Sequence, residues 1–368
     1  MPRLVTAFLL VASAATGCGD RGPGPAPATQ PPRTEEAEEA KDSEEAEAEE
    51  ADDERPSEEP VAEATPEPEP LELARGLVFP PGPYTHQALL DAIAHTAPRQ
   101  FKPVGTSSVV FRMRLRSEHT AAFKPRSRQH RRGYRAEVAA YRLAQLLALD
   151  NVPPAVVRAI PMREIRERVH PRYADAETWN EIEQWCLRDP DGRVRGAAIY
   201  WVPEMEDRRL ERAEQVVRWR AWLRQGNSVP EARQALARDL ANMLAFDYLI
   251  GNWDRFSGGN MKVSPDGSRL FIRDHNVAFA ARLPPRVHTR LRDRLTYTEK
   301  FSRQLIERIE RMDEAAIERA LAADPSHADE PLLNDEQIAG VLERRRTLLS
   351  YVGSLVDRFG EQAVLAFP

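Results

Sequence analysis

The sequence of 368 residues predicts an α+β fold, in which a β-rich first part with one long helix precedes a mostly helical second part. Three observations support this prediction. Short runs of alternating apolar residues, typical of strands, fall between positions 108 and 202. Helical periodicity dominates from position 207 onward. It is interrupted by two short strands that flank the turn Pro265-Asp266-Gly267.

Each element has a local signal. Val109, Phe111, Met113 and Leu115 alternate with polar residues, as in a half-buried strand, and a polar turn at 116–119 leads to the next strand. The predicted strands are 108–115, 121–124, 155–160, 196–202, 260–263 and 269–273. The predicted helices are 84–97, 133–149, 174–187, 210–224, 231–250, 298–322 and 335–358.

The first residues predict export and a lipid anchor. Residues 1–17 have a positive start and a short apolar run that ends in small residues before Cys18, as in the signal peptide of a bacterial lipoprotein. A lipidated Cys18 would hold the protein on a membrane outside the cytoplasm, in the cell envelope. Residues 18–75 are rich in Pro, Ala and Glu and predict a disordered linker. Residues 76–368 are then the folded domain.

Charge divides the chain into an acidic linker and a basic body. Residues 33–73 hold 19 acidic and three basic residues, although the whole chain has a net charge of only −6. Because the basic residues of the body are spread along the chain and mixed with Glu, we expect no nucleic-acid partner. Two cysteines exclude a disulfide framework, and no cysteine–histidine spacing suggests zinc.

A Lys and a Glu form the first candidate functional pair. Only five of the 52 basic residues are Lys, and one of them, Lys124, ends a predicted strand. Glu137 lies on the alanine-rich face of the helix that follows. A carboxylate on an apolar face is costly unless it is paired, and Lys124 lies thirteen residues upstream. The pattern predicts a strand Lys held by a helix Glu.

Two polar segments farther along predict the rest of a site. After the helix that ends at Gly251, a loop carries Asp254 and Asn260, with Gly258-Gly259 directly before Asn260. Arg255, next to Asp254, is expected to form a structural ion pair with it. The apolar strand 269–273 then leads directly to Asp274. Phosphoryl transfer uses this set of residue types: a Lys on a strand, a Glu on a helix, an Asp and an Asn on a loop, and a second Asp after a strand.

The same segments resemble a known family. Five segments are similar to segments of the atypical kinases of the secretory pathway, of the Golgi casein kinase and four-jointed type. They are Phe123-Lys124-Pro125, 135–143, 151–154, 248–255 and 272–275. These kinases are related in turn to HipA-like, CotH-like and phosphatidylinositol kinases. The resemblance implies a bilobed kinase-like fold, with a β-rich N-lobe at about 76–203, one helix of the αC type, and a mostly helical C-lobe at about 204–368.

The resemblance also implies roles. Lys124 resembles the phosphate-binding Lys and Glu137 its ion-pair partner; Asp254 resembles the catalytic base. Asp274 resembles the metal-binding Asp, with Asn260 as a candidate second ligand for Mg²⁺ or Mn²⁺. The implied activity is transfer of the γ-phosphoryl group of ATP to a hydroxyl group of a protein, sugar or small molecule.

Three features depart from the usual kinase pattern. Asp254 and Asn260 are six positions apart instead of five, and Gly258-Gly259 could absorb the extra residue as a bulge. Asp274 is followed by His275-Asn276, where kinases usually have Phe-Gly. The segment with Gly105 and Ser107 either touches the phosphates or is a plain β-turn. Similarly, Trp201 and Val202 either form the hinge against which adenine lies or end a core strand.

Two other functions remain open from the sequence. The chain could be a pseudokinase, or a nucleotide-binding or ligand-binding envelope lipoprotein without turnover, because the loop spacing is altered. It could also transfer AMP on the same scaffold. Nucleotide binding without transfer would select the first alternative, and a mass gain of AMP would select the second.

Overall fold

A computed structural model describes residues 69–80, 82–105 and 108–368. The predicted signal peptide, Cys18, most of the predicted linker and Ser107 lie outside the described residues. Residues Glu69–Pro368 form one compact unit, which begins a few residues before the predicted boundary at 76. Leu71 is buried, and the amide of Ala74 donates a 3.0 Å hydrogen bond to the carbonyl of Gln145, so this stretch packs on the domain.

The first part of the domain is built around a five-stranded antiparallel sheet with strand order β1-β2-β3-β5-β4. The helix α2 packs against β4 and β5, and its alanine-rich sequence permits this close approach. The strands are β1 Pro98–Pro103, β2 Phe111–Leu115, β3 Thr120–Pro125, β4 Ala155–Pro161 and β5 Arg193–Tyr200. The helices of this part are α1 His86–His95, α2 Gly133–Leu146, α3 Met162–Glu167 and α4 Ala176–Trp185.

The second part is mostly helical, as predicted, and α6 lies at its centre, packed against α7 and α10. Its strands form a two-stranded antiparallel hairpin, β6 Met261–Val263 and β7 Leu270–Ile272. The helices are α5 Ala213–Trp222, α6 Gln234–Ile250, α7 Pro285–Leu295, α8 Arg303–Arg311, α9 Glu314–Ala322, α10 Asp335–Phe359 and α11 Glu361–Val364. The α+β prediction is therefore confirmed.

Several details of the prediction were wrong. The helix predicted over 298–322 is two helices, α8 and α9, because Asp313 caps a new helix by accepting a 2.7 Å hydrogen bond from the amide of Ala316. The strand predicted over 196–202 ends at Tyr200, so Trp201 and Val202 follow it. The sequence prediction also missed β1, whose terminal prolines are tolerated because it is an edge strand.

Among the described residues no helix is both long enough and apolar enough to cross a membrane.

Cys186 ends α4 and is the free cysteine of the described residues. Burial raises the pKa of its thiol to about 12, so the reactive thiolate is scarce at pH 8. We expect iodoacetamide to modify Cys186 about a thousandfold more slowly in the native protein than in urea, where the pKa returns to about 8.5. Mass spectrometry of a Cys18→Ser variant measures this rate. Equal rates in the two states would contradict the buried position.

Candidate active site

Lys124 stands at the end of β3, a central strand that is paired on both sides. Because side chains alternate along a strand, Phe123 and Pro125 enter the core while Lys124 lies on the opposite face. Its ammonium contacts two carboxylates. Nζ lies 2.5 Å from Oε1 of Glu137 and 2.8 Å from Oδ1 of Asp274. The structure thus joins three of the residues that the sequence singled out.

Glu137 is a buried carboxylate on α2, with 3% of its surface exposed. Its second oxygen, Oε2, lies 3.4 Å from Nδ1 of His275. Lys124 and His275 therefore contact different oxygens of one carboxylate and fix its orientation. Such pairing is what makes a buried charge tolerable.

The pKa values of the cluster favour its charged forms. Burial alone would raise the pKa of Glu137, but the charge of Lys124 and the hydrogen bond from His275 outweigh it and hold the pKa well below its usual range. Burial alone would lower the pKa of Lys124, but the charges of Glu137 and Asp274 outweigh it and raise the pKa. Burial also opposes ionisation of Asp274, yet Lys124 lowers its pKa. All three groups are ionised at neutral pH.

Asp274 follows β7 and has a left-handed backbone conformation, with φ of 67°. Residues other than glycine adopt this region rarely, and Asp is among the more tolerant ones. Nδ2 of Asn252 donates a 3.2 Å hydrogen bond to the carbonyl of Asp274 and so holds this turn. The turn directs the carboxylate to Lys124 instead of continuing the strand.

The loop that carries Asp254 begins where α6 ends. Gly251 closes the helix with a left-handed conformation, φ 72°, which glycine adopts without strain. Nδ2 of Asn252 also donates a 3.1 Å hydrogen bond to Asp247 on the last turn of α6. Asn252 therefore links the end of α6 to the backbone of Asp274 and holds the loop close to this candidate metal ligand.

A buried ion pair anchors the same loop. Arg255 contacts both carboxylate oxygens of Asp247, at 2.8 Å from Nε and 2.9 Å from Nη2. Its Nη1 donates to the carbonyls of Asn260 and Arg273, so one side chain joins α6, the loop and the end of β7. The sequence suggested an ion pair with the neighbouring Asp254. The structure shows the partner to be Asp247, one helical turn before the loop.

Asp254 and Asn260 lie at the two ends of the loop, and the structure brings them together. Gly258 and Gly259 both have positive φ, 102° and 74°, a backbone conformation that glycine adopts without strain. Nδ2 of Asn260 donates to the carbonyl of Asp254 at 3.1 Å, which leaves Oδ1 as the atom able to meet a cation. The Asp254 carboxylate itself has no hydrogen bond or ion pair among the described residues, and it is partly exposed.

The predicted nucleotide-contacting residues are less sharply placed. Gly105 lies in the turn between β1 and β2, where a Cβ would overlap the carbonyl oxygen of Ser108. This backbone approach explains the glycine without a ligand. The guanidinium of Arg112 lies 5.0 Å from the centre of the Trp201 ring, and Val202 is buried. Trp201 and Val202 continue the strand that pairs with Lys124, and their role as an adenine hinge stays a prediction.

Sequence reasoning missed residues that connect these parts. Asn252 and His275 both bridge elements distant in sequence, and neither has a spacing that would have marked it. His130 lies in the basic loop before α2. Burial and the charge of Lys124 lower the pKa of His130, while the charges of Asp274 and Asp254 oppose this shift.

A divalent cation fits the residues present. Within the described ranges no group of three or more His, Cys, Asp or Glu side chains is arranged to hold a metal alone. Mg²⁺ in kinases is held by one or two protein ligands together with substrate phosphates, and it prefers oxygen donors. Asp274 and Oδ1 of Asn260 offer such donors. Lys124 neutralises only one of the two carboxylates it contacts, so negative charge remains for a cation to balance.

No family profile matches the sequence, and no curated protein matches it. Solved structures match the fold. The crystal structure of the Golgi casein kinase with Mn/ADP bound has a TM-score of 0.56 and 16% identity, over 76% of this chain and 78% of that chain. The structure of hydra Fam20 with sugar has a TM-score of 0.55 and 17% identity, over 76% of this chain and 91% of that chain.

These matches define the class of fold as kinase-like. More particularly, the fold is that of the atypical kinases of the secretory pathway, and this part of the predicted resemblance is confirmed. A second structure of the Golgi casein kinase agrees, with a TM-score of 0.55 and 17% identity over 76% of this chain and 77% of that chain. The relation to HipA-like and CotH-like kinases stays a prediction.

Proposed function

We propose that this protein is an atypical kinase that transfers the γ-phosphoryl group of ATP to a hydroxyl group of a protein, a sugar or a small molecule. One observation carries the proposal: Lys124 bridges Glu137 and Asp274 in a domain with a kinase-like fold. Phosphoryl transfer is mainly a matter of positioning and charge stabilisation, and this cluster supplies a fixed cation beside carboxylates.

Each residue has a role that follows from its contacts. The ammonium of Lys124 binds phosphate oxygens, and Glu137 holds it in place. Asp254 accepts the proton of the attacking hydroxyl or orients it, because its carboxylate is partly exposed and has no hydrogen-bond or ion-pair partner among the described residues. Asp274 and Asn260 would hold Mg²⁺ or Mn²⁺, which when bound neutralises charge on the phosphates. The structurally similar Golgi casein kinase was solved with Mn/ADP bound, in keeping with this assignment.

The protein is further proposed to act outside the cytoplasm, anchored by a lipidated Cys18 in a bacterial cell envelope. The support is the sequence alone: a short apolar run that ends in small residues before a cysteine. Membrane fractionation of cells that express wild type and Cys18→Ser tests the anchor. Release of only the variant into the soluble fraction supports it, and equal release of both contradicts it.

Thermal stabilisation tests the nucleotide site. ATP with Mg²⁺ or Mn²⁺, at about 100 times its dissociation constant, should stabilise the protein by about 2.7 kcal/mol. Asp274→Ala should lose the metal-dependent part of this stabilisation, and Lys124→Ala should abolish transfer. Asp293→Ala, an exposed acid without a side-chain partner among the described residues, is the matched control. Failure of every nucleotide and metal to stabilise the protein would contradict the proposal.

Labelled ATP distinguishes the alternatives. Label from the γ-phosphate should reach an acceptor, whereas label from the α-phosphate should not. The reverse pattern would indicate AMP transfer. Stabilisation without transfer of either label to any acceptor tested would favour a pseudokinase.

A further inference from the structure

The structure has a cavity of about 660 Å³ outside the candidate active site. None of its lining residues belongs to the cluster of Lys124, Glu137, Asp274 and His275. Its walls come from residues 70–76 (hereafter the strap), α1, α2 and α9. This volume is within the range of small-molecule sites. Part of the lining is apolar, with Leu71, Leu73 and Leu146 beside the alanines of α9.

The polar part of the lining is cationic. Arg75 on the strap and Arg319 on α9 are exposed, and neither has an acidic partner among residues 69–80, 82–105 and 108–368. Arg142 on α2 is buried, and its guanidinium lies 3.5 Å from Asp324. Glu72 is the one acidic side chain in the lining. Two guanidinium groups at one cavity, both without an acidic partner in the described part of the chain, favour an anionic ligand.

The wall also contains buried polar atoms that lack partners in the described part of the chain. Nε of Arg142 is one, and Nδ1 of His86 is another. Nε2 of His86 lies 3.1 Å from the carbonyl of Asp150, which can only accept, so Nε2 carries the proton and Nδ1 is an acceptor. Burial lowers the pKa of His86, in keeping with a neutral ring. Among the described residues, Nε of Arg142 therefore lacks an acceptor and Nδ1 of His86 lacks a donor, and a ligand hydroxyl can serve as either.

We propose that this cavity binds a small hydroxylated acid, with its phosphate or carboxylate on Arg75 and Arg319, its hydroxyl toward His86, and its carbon skeleton against the leucines. The site is distinct from the active site, and it does not depend on the kinase assignment. Its position is nevertheless informative. Such a ligand would contact the strap, α9 and the helix α2 that carries Glu137, and would hold these three elements together.

Calorimetric titration of the full chain tests the proposal with named probes: glycerol phosphate, glycerate, inorganic phosphate and neutral glycerol. We expect one or both hydroxylated acids to bind, more tightly than inorganic phosphate, and glycerol not to bind. The acid that binds distinguishes phosphate from carboxylate recognition. Arg319→Gln and Arg75→Gln should each weaken binding about tenfold or more, because each removes a charge-assisted hydrogen bond.

The control is Arg346→Gln, an exposed arginine of α10 outside the cavity, which should leave binding unchanged. Both test residues are exposed, so loss of folding does not complicate the result. Binding that survives both substitutions would place the acid elsewhere and overturn the proposal, as would no binding of either acid. Stabilisation by ATP is measured separately, so failure here is distinguishable from failure of the kinase assignment.

Discussion

Replacing Asp254 with Asn should lower the rate of phosphoryl transfer by about 10²- to 10⁴-fold, the usual contribution of a general base. Nucleotide binding should persist, because Lys124, Asp274 and Asn260 remain in place. The fold should persist as well. Asp254 makes its hydrogen bonds within this loop through its backbone. The carbonyl of Asp254 accepts from Asn260, and the amide of Asp254 donates to Asn252. The carboxylate is free of such contacts among the described residues.

The measurement is single-turnover transfer from γ-labelled ATP, beside thermal stabilisation by ATP and metal. Asp293→Asn supplies the control, since it makes the same chemical change on the exposed surface of α7. Loss of both transfer and stabilisation would show that Asp254 acts in binding. Full activity in Asp254→Asn would remove it from the reaction altogether.

The sequence predicted those parts of the site that depend on local order. Lys124 and Glu137 are separated by one turn region, so a strand followed by a helix brings them together with little freedom. The contact of Asp274 with Lys124 spans 150 positions and depends on how β7 meets the sheet. The set of residue types that phosphoryl transfer uses, together with the resemblance to kinases, grouped these two residues in one predicted site.

Connecting residues escaped prediction for a physical reason. Asn252 acts through one amide that contacts Asp247 and the backbone of Asp274, and a backbone acceptor leaves no pattern in the sequence. Arg255 was assigned to the adjacent Asp254. In the folded chain its guanidinium turns back to the last turn of α6, where Asp247 presents two oxygens. Nearness in sequence was a poor guide because the loop reverses direction after Gly251.

The sequence prediction also missed the helix α7, again for a physical reason. The helix α7 carries so many arginines that its apolar stripe is reduced to Leu291 and Leu295 as buried residues. Amphipathic periodicity is weak evidence in such a segment. In contrast, β3 and α2 were predicted well because their burial patterns are regular, and these are the elements that position the candidate site.

Replacing Arg255 with Met should give the largest loss of stability among these substitutions, about 3–5 kcal/mol in the free energy of unfolding. Arg255 is 1% exposed, and its removal leaves the buried Asp247 carboxylate with a single hydrogen bond among the described residues, the one from Asn252. It also removes the donor to the carbonyls of Asn260 and Arg273, so the Asp254 loop loses its tie to β7. Urea unfolding measures the change.

Arg193→Met is the matched control, because Arg193 pairs with Asp191 at 3.8 Å on the surface, with side chains 53% and 63% exposed. Exposed pairs contribute about 0–1 kcal/mol, so its effect should be small. The double variant Arg255→Met, Asp247→Leu removes the orphaned charge and should recover part of the loss, since apolar replacement of both partners is often tolerated. A loss below about 1 kcal/mol in Arg255→Met would mean that water reaches Asp247 and that this ion pair does not anchor the loop.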